Sequence, residues 1–238
     1  MAYRVGISVS SFAAEDAGPM RLLEEAGVQV VPNPYGRRMT EPEIIDFLSQ
    51  GLHGLVAGLE PLSRKVLETA KDLKAIARVG IGMDNVDQNA AADLGIRVSN
   101  TPDGPTEAVA EMCLAALLTL QRRLVPSSAD LHQKKWKKRI GSGLRGVKAL
   151  IVGYGRIGRR VADLLRFMGA EILATDPFVA PTDLKNGERL VSLEEGVREA
   201  EVISLHASGV QTILDARMFE TMRPGMIVLN SARGELID

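Results

Sequence analysis

Residues 150–176 read LIVGYGRIGRRVADLLRFMGAEILATD. An apolar run ending at Val152 feeds directly into Gly153-x-Gly155-x-x-Gly158, and apolar residues then recur at helical spacing to Phe167. A second apolar run closes on Asp176, eighteen residues after Gly158. Each glycine has a mechanical task in such a stretch. Gly153 makes the tight turn, Gly155 admits a phosphate to the backbone, and Gly158 lets helix and strand pack closely. The helix start presents unbonded N–H groups and the positive end of its dipole to an anion. Asp176 is placed to accept from both hydroxyls of an NAD ribose and to repel a 2′-phosphate. A lone GxGxxG is weak. Strand, glycines, helix, strand and terminal acid at these distances define a dinucleotide-binding βαβ unit.

Working outward, short β-branched runs alternate with helical patterns. Strands are expected at Arg4–Val9, Val28–Val31, Gly54–Ala57, Lys74–Val79 and Ile96–Asn100, with helices near Gly18–Ala26, Glu41–Gln50, Ser63–Ala70 and Val86–Leu94. That alternation predicts parallel strands with crossover helices. Residues 1–99 are read as a flavodoxin-like α/β domain of about five strands. The turn residues Asn100–Pro105 follow, then a long apolar helix from Thr106 through Leu120, which Pro126 is expected to break or kink before a polar stretch to Gly146. Further strands are expected at Lys148–Val152, Glu171–Thr175, Arg189–Ser192, Val202–Leu205 and Met226–Asn230. Residues 100–238 are therefore read as a doubly wound dinucleotide-binding domain, giving two α/β domains with a cleft between them.

Composition narrows the possibilities. The net charge of −1 gives no global attraction to nucleic acid or to a membrane surface. Cys113 is the only cysteine, and His53, His132 and His206 show no ligand spacing, so neither a disulfide within the chain nor a metal site is expected. The start, MAYRVGISVS, lacks the pattern of a signal peptide and no run reaches membrane-span length, so a cytoplasmic setting is expected. One basic cluster, His132–Ile140 (HQKKWKKRI), surrounds Trp136. Nucleic-acid binding combines such charge with stacking aromatics, but the rest of the chain offers no second basic surface. The cluster is read as a solvated amphipathic segment anchored by Trp136.

Three blocks carry a resemblance. The first is Arg78-Val-Gly-Ile-Gly-Met-Asp84-Asn85-Val-Asp87, followed by Gly95-Ile-x-Val-x-Asn100-Thr-Pro and Glu107-Ala-Val-Ala-Glu111. The second is the dinucleotide motif. The third is Val202-Ile-Ser-Leu-His206 with Asn230-Ser-Ala-Arg233-Gly-Glu-Leu-Ile-Asp238. Together they resemble the D-isomer-specific 2-hydroxyacid dehydrogenases, most closely the phosphoglycerate dehydrogenase branch, across nearly the whole chain.

The resemblance implies an NAD-dependent oxidoreductase acting on a D-2-hydroxy acid, with 3-phosphoglycerate and serine biosynthesis as the first expectation. It implies that backbone N–H groups of Val79, Gly80, Ile81 and Gly82 meet the substrate carboxylate, that Arg78 helps hold the substrate, and that Arg233 is the catalytic arginine. Cofactor contacts implied beyond Gly153, Gly155, Gly158 and Asp176 are Ile81 near the nicotinamide, Arg156, Ile157, Ala207, Ser231, Ala232 and Arg233. The helix near 106–125 is of the type that joins two copies, which suggests a homodimer or homotetramer. His206 matches a position that is not the catalytic histidine. Asp84 and Asn85 either cap the following helix or serve the site.

Some positions depart from the family pattern. Leu150 replaces a usual Gly or Ala. The segment after His206 is short. The loop Gly58-Leu59-Glu60-Pro61 lacks an arginine common in phosphoglycerate enzymes, and Arg37 and Arg38 either supply that charge or are solvated loop residues. The family's acid–base histidine and its supporting glutamate lie downstream of the arginine block, and neither falls within these residues, so the active site and the last part of the cofactor domain are expected to be incomplete here. The rival reading is a non-catalytic NAD-sensing or partner-binding protein of the same fold. Positioned acid–base groups contribute about 10²–10⁴-fold to such reactions, so these 238 residues alone are expected to give no useful turnover. NADH formation from a panel of D-2-hydroxy acids, compared with a version extended to full family length, checks this. Equal rates would overturn it.

Overall fold

Every strand in the computed structural model is parallel to its neighbours, as crossover connections require. The structure describes residues 2–185, 187–209 and 211–238, so Val210, within the short segment after His206, lies outside it. Two compact units result, Met1–Pro105 and Thr106–Asp238.

The first unit runs β1 (Arg4–Ile7), α1 (Gly18–Glu25), β2 (Gln29–Pro32), α2 (Glu41–Leu48), β3 (Gly54–Ala57), α3 (Arg64–Thr69), β4 (Ala75–Arg78), α4 (Gln88–Asp93) and β5 (Arg97–Asn100). The sheet order is β2-β1-β3-β4-β5, the flavodoxin-like arrangement. Ile44, Phe47 and Leu48 of α2, Val66 and Leu67 of α3, and Ala90 and Ala91 of α4 join Leu55 and Ile76 in one core. α2 begins with a capping box between Thr40 and Glu43. At α4 the cap is Asp87, whose carboxylate accepts from Ala90 N at 2.8 Å. Asp84 and Asn85 are not its caps.

The second unit runs α5 (Thr106–Gln121), α6 (Leu124–His132), β6 (Lys148–Val152), α7 (Arg156–Phe167), β7 (Glu171–Thr175), β8 (Arg189–Leu190), α8 (Leu193–Glu199), β9 (Val202–Leu205), α9 (Ala216–Thr221) and β10 (Ile227–Asn230). The order β10-β9-β6-β7-β8 places β6 centrally, with the chain crossing in opposite directions on its two sides. Ligands of such sheets bind beyond the carboxyl ends of the strands at that reversal. Ala110, Cys113, Leu117 and Gln121 form the buried stripe of α5, at helical spacing, and Arg160 of α7 pairs with Glu107 of α5 at 2.8 Å.

Three local expectations need correction. The long helix ends at Gln121, Arg123 takes a left-handed φ of 55° ahead of α6, and Pro126 falls in the first turn of α6 instead of making the break. Proline clashes with the carbonyl four residues earlier but is tolerated where the helical N–H has no partner, so the chain leaves α5 before reaching it. β8 stops at Leu190, because Ser192 accepts from Glu195 N at 3.2 Å and caps α8. Trp136 is 90% exposed and anchors nothing within this chain. The segment is held by Arg139 instead, paired with Asp130 at 2.7 Å.

The departure at Leu150 has a structural counterpart. Leu150 is fully buried, and a Cβ at Gly196 of α8 would lie 2.5 Å from its Cδ1. The larger strand residue is thus accommodated by a missing side chain on the facing helix. Overfilling a packed core costs about 1–3 kcal/mol, and Leu→Ala about 2–5. In chemical denaturation, Gly196→Leu is expected to lower stability by about 1–3 kcal/mol, and Leu150→Ala in the same chain should return part of that loss. Strictly additive losses would show that the two residues do not share this space.

Candidate functional site

The turn after β6 explains two of its three glycines from within. Gly153 has φ 89°, and a Cβ there would lie 2.5 Å from Ala207 N. A Cβ at Gly158 would lie 2.0 Å from Gly153 O, so close helix–strand packing demands its absence. Gly155 differs: its φ is −79°, and no heavy atom lies within 4 Å of where its Cβ would be. Nothing in the fold requires glycine there. The space is open to a group from outside, which is what a phosphate-binding turn needs. Gly155 is also the N-cap of α7 and lends it no side-chain acceptor. The first turn of α7 therefore gains no side-chain cap, and its backbone N–H groups sit at the positive end of the helix dipole.

Asp176 follows β7 directly. Its Oδ2 accepts from Tyr154 N at 2.8 Å and its Oδ1 from Phe178 N at 2.9 Å. A carboxylate oxygen accepts along two directions, so one on each oxygen remains for a pair of ligand hydroxyls.

Beyond β9 and β10, His206 and Ser231 come together, and Arg233 lies two residues further along the turn after β10. Ser204 Oγ lies 2.8 Å from His206 Nε2, and Ser231 Oγ lies 3.1 Å from Nδ1. Burial lowers the His206 pKa to about 4, leaving a neutral imidazole at ordinary pH. Asn230 shapes the turn that follows: its Oδ1 accepts from Ala232 N at 3.0 Å and its Nδ2 donates to Arg233 O at 2.7 Å. Arg233 itself is half-buried, with Nη1 donating to Ala232 O at 2.9 Å.

In the first unit the loop after β4 is bound more tightly than the sequence suggests. Arg78 is buried and its guanidinium donates to Val79 O. A Cβ on Gly80, at φ 132°, would fall 1.6 Å from Arg78 Nη1. Val79 N donates to Ala57 O at 2.9 Å and Gly80 N to Thr101 Oγ1 at 2.7 Å. Those two N–H groups are thus committed within the protein. Among the described residues, neither Ile81 N nor Gly82 N donates to a protein acceptor. Asn100 Nδ2 steadies the loop through Ile81 O at 2.8 Å.

The sequence assigns no role to Asn100, Thr101 or Glu60, and leaves Asn85 between capping a helix and serving the site. Asn85 Nδ2 donates to Glu60 O at 2.8 Å and to Gly58 O at 3.2 Å, tying the loops after β3 and β4. The buried Glu60 carboxylate accepts from Ser8 Oγ and from Gly58 N. Nothing local to these residues announces the partners. Arg37 had a signal that was available. Its guanidinium donates to both oxygens of Glu43, at 2.9 and 2.6 Å, and these bonds, with that from Thr40 N, hold the Glu43 pKa at about 2. The Thr40-x-x-Glu43 box marks Glu43 as a fixed acceptor six residues after Arg37. Arg37 is thereby engaged by its own unit. Among the described residues no cluster of three or more His, Cys, Asp or Glu is placed to hold a metal, and no helix is long and apolar enough to cross a membrane.

These features define a dinucleotide-binding α/β fold, and comparison with known proteins gives the family. Residues 114–238 match the profile of the D-isomer specific 2-hydroxyacid dehydrogenase, NAD binding domain. The chain belongs to the D-isomer specific 2-hydroxyacid dehydrogenase family. It is 36% identical over 180 residues to a D-3-phosphoglycerate dehydrogenase of Archaeoglobus fulgidus, covering 73% of this chain and 34% of that protein. It is 34% identical over 189 residues to a hydroxypyruvate reductase of Thermotoga maritima, covering 77% and 61%. Among solved structures, the apo D-lactate dehydrogenase of Escherichia coli superposes with a TM-score of 0.83 at 27% identity, covering 99% of this chain and 75% of that one. The chain spans about a third of the length of the curated phosphoglycerate dehydrogenases it matches.

The neutral His206 can be checked directly. Between its ordinary value of about 6.5 and the folded value of about 4, the unfolded chain binds a proton that the folded chain does not. This group's contribution is therefore present in full above about pH 6.5 and declines as pH falls toward about 4. In an NMR titration the His206 Cε1–H resonance should show its midpoint near pH 4. A midpoint near 6.5 would show the ring to be open to water.

Proposed function

We propose that this chain is part of an NAD-dependent oxidoreductase that interconverts a D-2-hydroxy acid and its 2-oxo acid, with 3-phosphoglycerate as the substrate. The observation that carries the reading is the alignment of the phosphate-binding turn, Asp176 and the Ser231–Arg233 turn at adjacent strand ends of one sheet. The substrate assignment draws on the phosphoglycerate dehydrogenases among the relatives.

Arg156, Ile157 and Gly158 would bind the pyrophosphate through their backbone N–H groups, with Gly155 allowing close approach. Asp176 would accept from the adenosine ribose. Ser231 and Ala232, beside Ala207, would border the cofactor at the ends of β9 and β10. NAD, when bound, supplies the acceptor for the hydride from C2. Arg233 would orient the substrate by the planar fork that suits a carboxylate. Within the first unit by itself, Ile81 and Gly82 are the N–H donors available to a ligand carboxylate, and Arg78 gives their loop its positive charge. His206 is not assigned the proton, since serine hydroxyls meet both of its ring nitrogens.

We further infer a homo-oligomer. Met112, Leu120, Leu124, Val125 and Trp136 are exposed on α5, α6 and the segment beyond, an apolar set of the kind that a second copy covers.

Calorimetric titration tests the cofactor half. NAD is expected to bind about tenfold or more tightly than NADP, since a like charge beside a 2′-phosphate costs at least the 1.4 kcal/mol that makes tenfold. Asp176→Ala should weaken NAD and narrow the gap, while equal or tighter NADP binding would overturn the role given to Asp176. In the whole protein, Arg78→Ala should raise KM for 3-phosphoglycerate. Turnover of an unphosphorylated 2-hydroxy acid alone would overturn the substrate assignment, and NAD binding without turnover of any such acid would favour a sensing role.

A further inference from the structure

Beneath the phosphate-binding turn lies a buried polar group that the cofactor contacts do not use. The Glu188 side chain is fully buried. Its Oε2 accepts from the Tyr154 hydroxyl and from Lys185 N at 2.9 Å, and Arg166 Nη1 lies 3.6 Å from its Oε1. Arg166 also pairs with Asp163 at 2.7 Å, and Lys185 Nζ meets the same carboxylate at 2.5 Å. Tyr154, the second residue of the glycine motif, is 1% exposed. Burial and the Glu188 carboxylate raise its phenol well above the ordinary tyrosine range, so the phenol remains a donor.

Tyr154 is held at three further points. Its carbonyl accepts from Arg159 Nε at 2.9 Å, the Arg159 guanidinium lies 5.2 Å from its ring centroid, and its N–H donates to Asp176 Oδ2 at 2.8 Å. A phenyl ring would fill the same volume without a buried carboxylate beneath it. Burying a carboxylate is costly unless it is paired and hydrogen-bonded, and here the Tyr154 hydroxyl, Lys185 N and Arg166 meet it. What the bond adds is direction: it fixes the ring's depth and rotation, and with them the height of the Tyr154 backbone that meets Asp176.

We propose that Tyr154 and Glu188 are a positioning pair for the cofactor, in which Glu188 fixes the phenol, the phenol fixes the Tyr154 N–H, and that N–H aims the Asp176 carboxylate at the ribose. The proposal rests on the reading that Asp176 receives the ribose. It makes the preference for NAD depend on two residues that face away from the nucleotide.

Calorimetric titration of this chain with NAD and with NADP tests it, with melting temperatures measured in parallel. A hydrogen bond to a charged group is worth enough to change binding by about tenfold when lost, so Tyr154→Phe should weaken NAD by about five- to tenfold and NADP by less. In the Asp176→Ala background the same change should add no further loss. Glu188→Gln, which still accepts from the phenol, should keep most of the preference. Tyr154→Phe with Glu188→Leu removes the buried charge along with its donor, so it should recover melting temperature without recovering the preference for NAD. A preference that returns with stability, or equal losses in the presence and absence of Asp176, would make the pair a core element only and overturn the proposal. If Asp176→Ala leaves NAD affinity unchanged, the ribose reading falls and the proposal falls with it.

Discussion

The candidate site depends on the register of one strand. β6 pairs with β7 and β9 so that Val152 stands beside Thr175 and Leu205, and Leu205 in turn stands beside Asn230. Gly153, Asp176, His206 and Ser231 are therefore each the first residue past the end of a strand. The glycine turn, a carboxylate, a neutral imidazole and the start of the arginine turn emerge at one level. β6 is buried over Ala149–Val152 and β9 throughout. A slip of one residue would turn every side chain to the opposite face, so the packing that stabilises the sheet also aligns the site.

Close approach recurs as the way this alignment is kept. Gly153 meets Ala207 backbone, Gly158 meets Gly153 O, Gly196 meets Leu150, and Gly80 meets the Arg78 guanidinium. In each case a side chain is omitted so that something functional or bulky can lie against the backbone. Gly155 stands apart because its open side faces nothing in the protein.

The two loops that the resemblance assigns to substrate and catalysis are built by different means. After β4, Asn100 and Thr101 of the neighbouring β5 end hold the glycine loop by its backbone, which commits the N–H of Gly80 and leaves those of Ile81 and Gly82. After β10, Asn230 holds the turn through both ends of its own amide. Polar side chains at strand ends thus preorganise the backbone before any ligand arrives, which lowers the ordering cost of binding.

Much of this was legible along the chain. Alternating apolar runs and helical patterns place the parallel strands of both sheets, and the glycine spacing with Asp176 marks the dinucleotide unit, because strand, turn and helix there are contiguous and obey local rules. Pro126, Ser192 and Trp136 misled for a related reason: a helix end, a strand end and an exposed ring are decided by competing partners, not by the residue alone. The sequence by itself determined the two α/β units, the glycine turn after β6 and the carboxylate that follows β7. Only the tertiary structure decided that Gly196 makes room for Leu150, that Arg37 is engaged by Glu43, that Val79 and Gly80 are already bonded, and that Tyr154 rests on Glu188 thirty-four residues away. Those outcomes depend on which side chains the folded chain brings within about 3 Å of each other, the reach of a hydrogen bond, and residues far apart in the chain carry no local mark of that meeting.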